Sequence, residues 1–441
     1  MVATQPDTAP APIALACLHD LEAAEARLEA IAGRTEGGRL QEEQRRVEAI
    51  LAAVRERGDQ ALLEFSERFD GVRPDPLRVT EAQLQQAWER TEPTLQAALD
   101  LALERISHFH SLQRPADLAS TGPHGERLGR RWRPVDRAGL YVPGGRAAYP
   151  STVLMNAVPA LVAGVERLVM VTPPGPDGLP NTTVLAAAHR AGVREVYRVG
   201  GAQAIAALAY GTASIPRVDV ISGPGNLYVT LAKKAVYGQV GIDALAGPSE
   251  VLVIADASAN PQQVAADLMA QAEHDPLAAA ILITTSESLA AAVPQAIEQQ
   301  LHQHPRAAIV RQALNDWGLI VVCSTLEEAA RLSDRFAPEH LELLVEEPEA
   351  LADQIRHAGA IFLGPWTPEA VGDYLAGPNH TLPTSGTARF AGALSVETFL
   401  RHTSLIHFNR AALEATAPAV LSLAASEGLH SHAESVRQRL G

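Results

Sequence analysis

Residues 168–222 read LVMVTPPGPDGLPNTTVLAAAHRAGVREVYRVGGAQAIAALAYGTASIPRVDVIS, and this stretch decides the class of fold. It contains three short runs rich in β-branched residues, at 168–172, 195–199 and 218–222, and each run is bounded by glycine or proline. Alanine-rich segments separate the runs, which recur roughly every 25 residues, as βα units do. The pattern therefore predicts a parallel sheet with right-handed crossover connections.

A second series of strand-like runs begins after Gly247. These runs span residues 251–255, 280–284, 319–323 and 361–363, again with helical segments between them. Two such series predict two α/β layers, each of which is a twisted sheet covered by helices.

Helical sequence surrounds the two series. Before them, residues 22–31, 42–57 and 94–109 carry apolar side chains at three- and four-residue spacing, which predicts amphipathic helices. After them, residues 395–441 are expected to form a separate helical tail. The first 20 residues begin with an alanine-, proline- and threonine-rich stretch and are expected to be a flexible arm.

Composition excludes several classes of protein. Of the 441 residues, 36 are Lys or Arg and 51 are Asp or Glu, which gives a net charge of −15 and argues against nucleic acid or anionic lipid as a partner. The most apolar stretch, residues 151–165, is too short and too interrupted to span a membrane, and the N-terminus lacks the pattern of a signal peptide. We therefore expect a soluble, cytoplasmic protein.

The two cysteines, Cys17 and Cys323, are too few for a disulfide framework or a four-cysteine metal site. Cys323 ends the apolar run LIVVC and is interpreted as a thiol of the core rather than as a nucleophile. Cys17 lies in the N-terminal segment and is no better placed for chemistry.

Three glycine-rich stretches lie where a predicted strand ends and a helix begins. They are YVPGGR at 141–146, VGGAQ at 199–203 and SGPGN at 222–226. Glycine lets the backbone approach a ligand closely, and the ligands of open parallel sheets lie beyond the carboxyl ends of the strands. The three loops together favour a bound nucleotide. Ordinary turn chemistry stays open as the alternative, because none of them spells G-x-G-x-x-G.

Gln271 and His274 are three residues apart in a helical segment that ends before Pro276. That spacing places both side chains on one face of the helix, where His274 is a candidate zinc ligand although glutamine is a rare one. A solvated histidine in the last turn is the alternative, since a protonated imidazole suits a helix C-terminus.

Glu339 and His340 are adjacent and are candidates for two proton acceptors in one site. The alternative is a surface helix start at which Glu339 complements the helix dipole. Asp373 and His380 lie in a loop rich in glycine and proline, which favours the wall of a site.

Two further candidates, Glu427 and His432, lie near the C-terminus. There a fraying helix end is the alternative to a functional role.

Several separated segments together resemble the histidinol dehydrogenase family. They are GLYVPGG at 139–145, GPGN at 223–226, AGPSEVLVIAD at 246–256, Gln271 with HDP at 274–276, APEHL at 337–341 and GDYLAGPNH at 372–380. The resemblance extends from about residue 20 to about residue 435, with the motifs in the family's order. It implies oxidation of L-histidinol to L-histidine through L-histidinaldehyde, with reduction of two NAD and a requirement for zinc.

The resemblance also implies roles for individual residues. The implied catalytic pair is Glu339 and His340. The implied zinc ligands are Gln271, His274, Asp373 and His432. The implied substrate contacts are Ser249, Gln271, His274, His340, Asp373, His380, Glu427 and His432. The implied NAD contacts are Tyr141, Gln203 and Asn226.

The resemblance further implies the domain organisation and a homodimer. Residues 141–248 would form an NAD-binding domain, and residues 21–140 with 249–394 a zinc-carrying catalytic domain, both incomplete Rossmann-like folds. The tail, residues 395–441, would reach into the partner's site and carry Glu427 and His432 there.

Two other functions compete with this interpretation. One is a zinc- and NAD-dependent dehydrogenase of the same build that acts on another amino alcohol or on a hydroxy-sulfonate. The other is a catalytically silent nucleotide-binding protein, which the joint presence of Glu339, His340 and the implied ligands disfavours.

Overall fold

The computed structural model of the protein describes residues 13–34, 39–144 and 148–441. Most of the predicted N-terminal arm, residues 1–12, and the last residues of the first glycine-rich stretch, Gly145 and Arg146, lie outside the described residues. Among the described helices, none has the length and apolar character needed to cross a bilayer.

The fold is built from helices and strands that alternate over most of the chain. The helices are α1 (Leu21–Ala32), α2 (Arg39–Arg57), α3 (Asp59–Asp70), α4 (Glu81–Glu89), α5 (Pro93–Ser111), α6 (Pro150–Ala163), α7 (Thr182–Arg190), α8 (Gly201–Tyr210), α9 (Leu227–Val236), α10 (Pro261–Ala272), α11 (Glu287–Leu301), α12 (Ala307–Trp317), α13 (Leu326–Phe336), α14 (Pro348–Ala352), α15 (Glu369–Tyr374), α16 (Arg410–Ser426) and α17 (His430–Leu440). The strands are β1 (Ala16–Leu18), β2 (Arg78–Val79), β3 (Leu118–Thr121), β4 (Arg127–Pro134), β5 (Arg137–Tyr141), β6 (Arg167–Thr172), β7 (Glu195–Arg198), β8 (Val220–Ser222), β9 (Gly241–Ile242), β10 (Glu250–Ala255), β11 (Ala279–Thr284), β12 (Leu319–Val322), β13 (His340–Leu344), β14 (Ala360–Leu363) and β15 (Leu400–His407).

Two six-stranded sheets carry the fold. The first has the order β2-β7-β6-β5-β8-β9 and is parallel except for β2, which pairs antiparallel with β7. The second has the order β1-β12-β11-β10-β13-β14 and is parallel throughout. The predicted α/β class with two parallel sheets is confirmed.

Both sheets are covered on their two faces, which explains the continuous apolar runs in the sequence. On β6, Leu168 and Met170 pack into one core cluster while Val169 and Val171 pack into the cluster on the opposite face. The second sheet is likewise buried between α10, α11 and α12 on one face and α1, α13 and α14 on the other. Alternate side chains of one strand therefore stabilise two different helical layers.

Helix packing differs from the predicted grouping of residues 21–140 with residues 249–394. Only α1 packs on the second sheet. Helices α2 to α5 pack on the first sheet, and β5 lies near its centre. Amphipathic periodicity shows that a helix has an apolar face but not which sheet covers that face.

Two other parts of the chain also differ from expectation. Residues 16–18 of the expected flexible arm form β1, which pairs in parallel with β12 and forms one edge of the second sheet. The C-terminal part of the chain is helical in α16 and α17, as predicted, but it begins with β15, which pairs antiparallel with β4 in a separate sheet of order β15-β4-β3. These strands are largely exposed and carry no apolar run for a sequence reading to detect.

Candidate functional site

Chain order reverses in the first sheet between β5 and β8, and loops from these strands meet at the carboxyl edge. Tyr141 ends β5, and Gly223 follows β8. Gly223 has a φ of +116°, and a Cβ at this position would lie 2.0 Å from the Tyr141 carbonyl oxygen. Only glycine allows this approach. Such a reversal of strand order is where open α/β sheets bind their ligands.

The residues implied in NAD binding follow three strands of this edge. The Tyr141 hydroxyl accepts a hydrogen bond from the Gly201 backbone N–H at 3.1 Å, and burial raises the pKa of Tyr141 to about 12. Gln203 is buried in the first turn of α8, and Asn226 caps α9 by accepting from the Val229 N–H at 3.2 Å. The structure thus brings Tyr141, Gln203 and Asn226 to one edge of the sheet.

A buried ion pair holds the Gly223 loop. Lys233 and Asp243 pair with each other, and each side chain is only 3% exposed. Asp243 accepts from the Gly223 N–H at 2.8 Å, while Lys233 donates to the Gly223 carbonyl oxygen at 3.0 Å. Both peptide groups of Gly223 are therefore fixed by charge-assisted hydrogen bonds.

The second group of candidate residues lies at the amino edge of the second sheet, where β10 and β13 begin. Glu339 immediately precedes β13 and His340 is its first residue, and both are buried. The backbone of Glu250, at the start of β10, contacts both side chains. Its N–H donates to Glu339 Oε2 at 2.9 Å, and its carbonyl oxygen lies 3.1 Å from His340 Nδ1.

The contact with the Glu250 carbonyl fixes the tautomer of His340. A carbonyl oxygen only accepts, so Nδ1 carries the proton and Nε2 is left with its lone pair. That Nε2 is buried and has no hydrogen-bond partner among the described residues, and it lies 4.0 Å from Asp373 Oδ1. Burial lowers the pKa of His340 to about 4, although Asp373 acts in the opposite direction. His340 is therefore a neutral imidazole at pH 7, with an acceptor nitrogen directed into the site.

The carboxyl groups around His340 respond to burial in the opposite sense. Desolvation raises the pKa of Glu339 well above its ordinary value, and the charges of Glu250 and Asp373 raise it further. Desolvation also raises the pKa of Glu369, again with Asp373 contributing. A cluster of carboxyl groups with raised pKa values next to a neutral imidazole is typical of sites that move protons.

Three side chains form a group with the geometry of a metal site. Ligand atoms of His274, Glu369 and Asp373 all lie within 4.8 Å of one another. The end of the Gln271 side chain faces Glu369, at 2.9 and 2.6 Å from its two carboxylate oxygens. With the amide nitrogen on that side, Gln271 donates to Glu369 and its oxygen accepts from the Glu250 N–H at 3.0 Å.

This donor set fits zinc. Nitrogen from histidine and oxygen from carboxylates are ligands that zinc accepts. The structure therefore brings together Gln271, His274 and Asp373 of the implied ligand set.

Two of the implied substrate residues lie beside this group. His380 Nδ1 is 3.1 Å from the Asp373 carbonyl oxygen, and burial lowers the pKa of His380. Ser249 is half-buried and directly precedes Glu250, and its carbonyl oxygen accepts from the Ala279 N–H at 3.0 Å.

Glu427 and His432 are not brought to the site within one chain. Glu427 caps the end of α16, and His432 lies in the first turn of α17; both are exposed. Among the described residues, neither side chain makes a hydrogen bond or an ion pair. In the structure of one chain, both residues therefore lie outside the group of His274, Glu369 and Asp373.

Sequence reasoning missed Glu369. It lies four residues before Asp373 on α15, and this spacing places both carboxyl groups on one face of the helix. The same spacing argument that singled out Gln271 and His274 would have found it.

Comparisons with known proteins agree with this arrangement. The sequence model of the family described as histidinol dehydrogenase matches residues 34–440. A histidinol dehydrogenase of Parasynechococcus marenigrum (strain WH8102) is 69% identical over 426 residues, which cover 97% of this chain and 98% of the relative. A histidinol dehydrogenase of Thermosynechococcus vestitus is 60% identical over 417 residues, covering 94% and 97%. The crystal structure of histidinol dehydrogenase from Elizabethkingia anophelis has a TM-score of 0.92 at 35% identity, covering 97% of this chain and 98% of that one.

The two covered parallel sheets and the buried imidazole–carboxylate cluster define an α/β oxidoreductase. The chain belongs to the histidinol dehydrogenase family, whose function is an NAD-dependent oxidation in histidine biosynthesis.

Cys323 lies far from the catalytic candidates. It follows β12 at the carboxyl edge of the second sheet, whereas His340 begins β13 at the amino edge. Strands rise about 3.3 Å per residue, so the two edges are on the order of 17 Å apart. Burial also raises the pKa of the Cys323 thiol to about 11, which leaves almost no thiolate at pH 7.

We therefore expect Cys323→Ser to retain the wild-type kcat for both the alcohol and the aldehyde. The exposed Cys17 provides the matched control in Cys17→Ser. Steady-state assays on each substrate, with circular dichroism to verify folding, provide the measurement. A folded Cys323→Ser variant that oxidises the alcohol but not the aldehyde would show that the thiol takes part.

Proposed function

We propose that this site oxidises L-histidinol to L-histidine through L-histidinaldehyde, with two hydride transfers to NAD and with zinc bound to the enzyme. The observation that carries the proposal is His340, a neutral buried imidazole whose Nε2 has no hydrogen-bond partner among the described residues and lies beside Asp373. An acceptor in that environment suits the removal of a hydroxyl proton from a bound alcohol.

The proposed zinc ligands from one chain are Gln271, His274 and Asp373, with His432 of the partner subunit as the fourth. When bound, the metal would supply a Lewis acid that orients the substrate. Ser249 and His380 lie beside this group and would contact the substrate, together with Glu427 of the partner subunit.

In the first oxidation, His340 Nε2 accepts the hydroxyl proton while a hydride leaves the carbinol carbon for NAD⁺. The Glu250 carbonyl keeps the ring in the required tautomer, since Nδ1 remains its donor. Because burial makes the neutral imidazole the dominant form, no proton has to leave His340 before the step begins.

In the second oxidation, Glu339 removes a proton from water as the water adds to the aldehyde carbon, and His340 returns the proton that it took in the first oxidation to the aldehyde oxygen. Its raised pKa makes Glu339 a stronger base than an ordinary carboxylate, and the Glu250 N–H holds its Oε2 in place. His340 then deprotonates the resulting gem-diol, and the second hydride leaves for another NAD⁺. This route needs no covalent thiol, in accord with the position of Cys323 at the opposite edge of the sheet.

For the oxidant, we propose a site at the carboxyl edge of the first sheet, within residues 141–248. Tyr141, Gln203 and Asn226 follow β5, β7 and β8 there and would contact NAD. The reversal of strand order between β5 and β8 supports this position, because open α/β sheets bind their ligands at such a point.

The exposed tail supports a homodimer. Strands β15, β4 and β3 form a small sheet that is exposed along most of its length. Large apolar side chains on or next to the tail are also exposed: Leu405 (40%), Ile406 (74%), Phe408 (41%), Leu423 (64%) and Leu429 (40%). Exposed apolar side chains in such number favour an interface, and pairing with a second copy would bring Glu427 and His432 to the partner's site.

Purified protein is expected to form two NADH per L-histidinol consumed. A chelator should abolish NADH formation and added zinc should restore it, because the metal orients the substrate. The measurement is the NADH yield at limiting L-histidinol. A yield of one would mean that the reaction stops at the aldehyde. No NADH from a folded, zinc-loaded protein would reject histidinol and favour another amino alcohol or a hydroxy-sulfonate.

Substitutions of the catalytic pair should separate the two oxidations. His340→Asn is expected to lower kcat by about 10²- to 10⁴-fold for both alcohol and aldehyde, because both steps need the imidazole. Glu339→Gln should lower kcat for the aldehyde more than for the alcohol, since only hydration needs the carboxylate. Glu347→Gln, at an exposed position, is the control. Equal losses in both steps for Glu339→Gln would contradict this division of roles.

Mixing two inactive variants should restore activity if the tail acts across the dimer. His340→Asn and His432→Asn homodimers each lack one functional group at both sites. In a mixed dimer, one site lacks both His340 and His432 and the other site has both. After full exchange about half of the dimers are mixed, so the mixture should recover about a quarter of wild-type activity. The assay compares subunit-exchanged mixtures with the unmixed variants. No recovery after exchange verified by native mass spectrometry would place His432 in its own chain's site.

A further inference from the structure

Arg34 is a fully buried cation at the C-terminal end of α1, outside every motif singled out in the sequence. Its side chain and that of Glu250, with which it pairs, are both 0% exposed. The guanidinium group has five acceptors, which are the carbonyl oxygens of Ile31 (2.9 Å), Leu277 (2.7 Å), Pro248 (2.8 Å) and Ser249 (3.3 Å) and the Glu250 carboxylate oxygen Oε1 (3.0 Å).

Four of these acceptors belong to two segments of the site, and the fifth, the Ile31 carbonyl, belongs to α1 itself. Leu277 lies three residues after His274, in the loop that leads from α10 to β11. Pro248, Ser249 and Glu250 form the segment that leads into β10. One planar group therefore links the loop after a proposed metal ligand to the segment that carries a proposed substrate contact.

The second segment also positions the catalytic pair. The Glu250 N–H holds Glu339 at 2.9 Å and the Glu250 carbonyl holds His340 Nδ1 at 3.1 Å. The Glu250 carboxylate is in turn fixed from two sides, by Arg34 and by the Ser385 N–H at 3.3 Å. A displacement of Glu250 would therefore move Glu339 and His340 together.

We propose that Arg34 is a positioning residue, which sets the distance between the catalytic pair Glu339–His340 and the loop of His274 by binding residues 248–250 and the Leu277 carbonyl at once. The inference rests on the proposed roles of Glu339, His340 and His274. Among the described residues, Arg34 makes no hydrogen bond to these three side chains, so it acts mainly through the backbone that holds them, although its charge also acts to lower the pKa of Glu339.

Lysine cannot reproduce this arrangement. An ammonium group is compact and lacks the planar fork with which a guanidinium group donates in several fixed directions. In Arg34→Lys the charge would still pair with Glu250, so the buried carboxylate would not be left alone. The simultaneous contacts with Leu277 and Pro248 would be lost. Displacement of a reacting group by about 1 Å costs on the order of 10²-fold in rate.

The test compares Arg34→Lys with Arg27→Lys. Arg27 lies on the same helix and donates to the Asp316 carbonyl at 2.7 Å at the protein surface, so its substitution perturbs the docking of α1 without affecting residues 248–250. At temperatures well below the melting temperature of Arg34→Lys, we expect the kcat of this variant to be about 10- to 100-fold lower than that of the wild type for both oxidations. Its KM for NAD should be unchanged. Arg27→Lys should keep the wild-type kcat.

Chemical rescue separates positioning from simple stability. Arg34→Ala leaves a cavity of guanidinium shape, and added ethylguanidinium at millimolar concentration should restore a measurable part of kcat in that variant while leaving the kcat of Arg27→Ala and of the wild type unchanged. If Arg34→Ala does not fold, the kcat of Arg34→Lys alone tests the inference. Wild-type kcat in folded Arg34→Lys overturns the inference. A wild-type protein without histidinol-dependent NADH formation, or a fully active His340→Asn, would instead reject the proposed function.

Discussion

The candidate site depends on the backbone of one residue, Glu250. Strands β10 and β13 pair in parallel with Val251 opposite His340, so the residue before Val251 lies beside the start of β13. Its N–H and its carbonyl oxygen are therefore available to side chains rather than to the ladder. The Glu250 N–H donates to the Glu339 carboxylate, and the Glu250 carbonyl oxygen lies beside His340 Nδ1. The register of the sheet thus determines the relative position of an acid and a base.

Burial at that position has opposite effects on the two kinds of group. Desolvation disfavours whichever form is charged, so it lowers the pKa of His340 to about 4 and raises that of Glu339. The imidazole stays neutral and the carboxyl group becomes more basic than usual. The lowered pKa keeps His340 in its proton-accepting form at pH 7, the raised pKa makes the Glu339 carboxylate a stronger base, and both changes arise because the amino ends of β10 and β13 are covered.

The sequence predicted regular and periodic features better than it predicted contacts between distant segments. Several buried strands of both sheets could be read from β-branched runs, because they are covered on both faces, but the buried strands β5 (RAGLY) and β13 (HLELL) contain no β-branched residue and were not among the predicted runs. Strand β4, with the sequence RLGRRWRP, has no such run, since its partners leave it exposed. Gln271, His274 and Asp373 could be proposed from motifs. The role of Arg34 could not, because its five acceptors lie close together only after α1 packs on the second sheet.

The loop that follows α15 connects the two sheets. It therefore joins the proposed NAD edge of the first sheet to the proposed metal group on the second. This loop carries His380, and the adjacent Asn379 donates to the Met155 carbonyl on α6 at 2.5 Å. Gly377, with a φ of +112°, packs so closely on α5 that a Cβ would lie 3.0 Å from the Arg105 carbonyl oxygen. Both helices cover the first sheet, whereas Asp373, just before the loop, belongs to the group on the second. The distance between the proposed NAD edge and the proposed metal group is therefore set by packing of the loop against α5 and α6. A substitution that loosens this packing would displace His380 and Asp373 from the first sheet together.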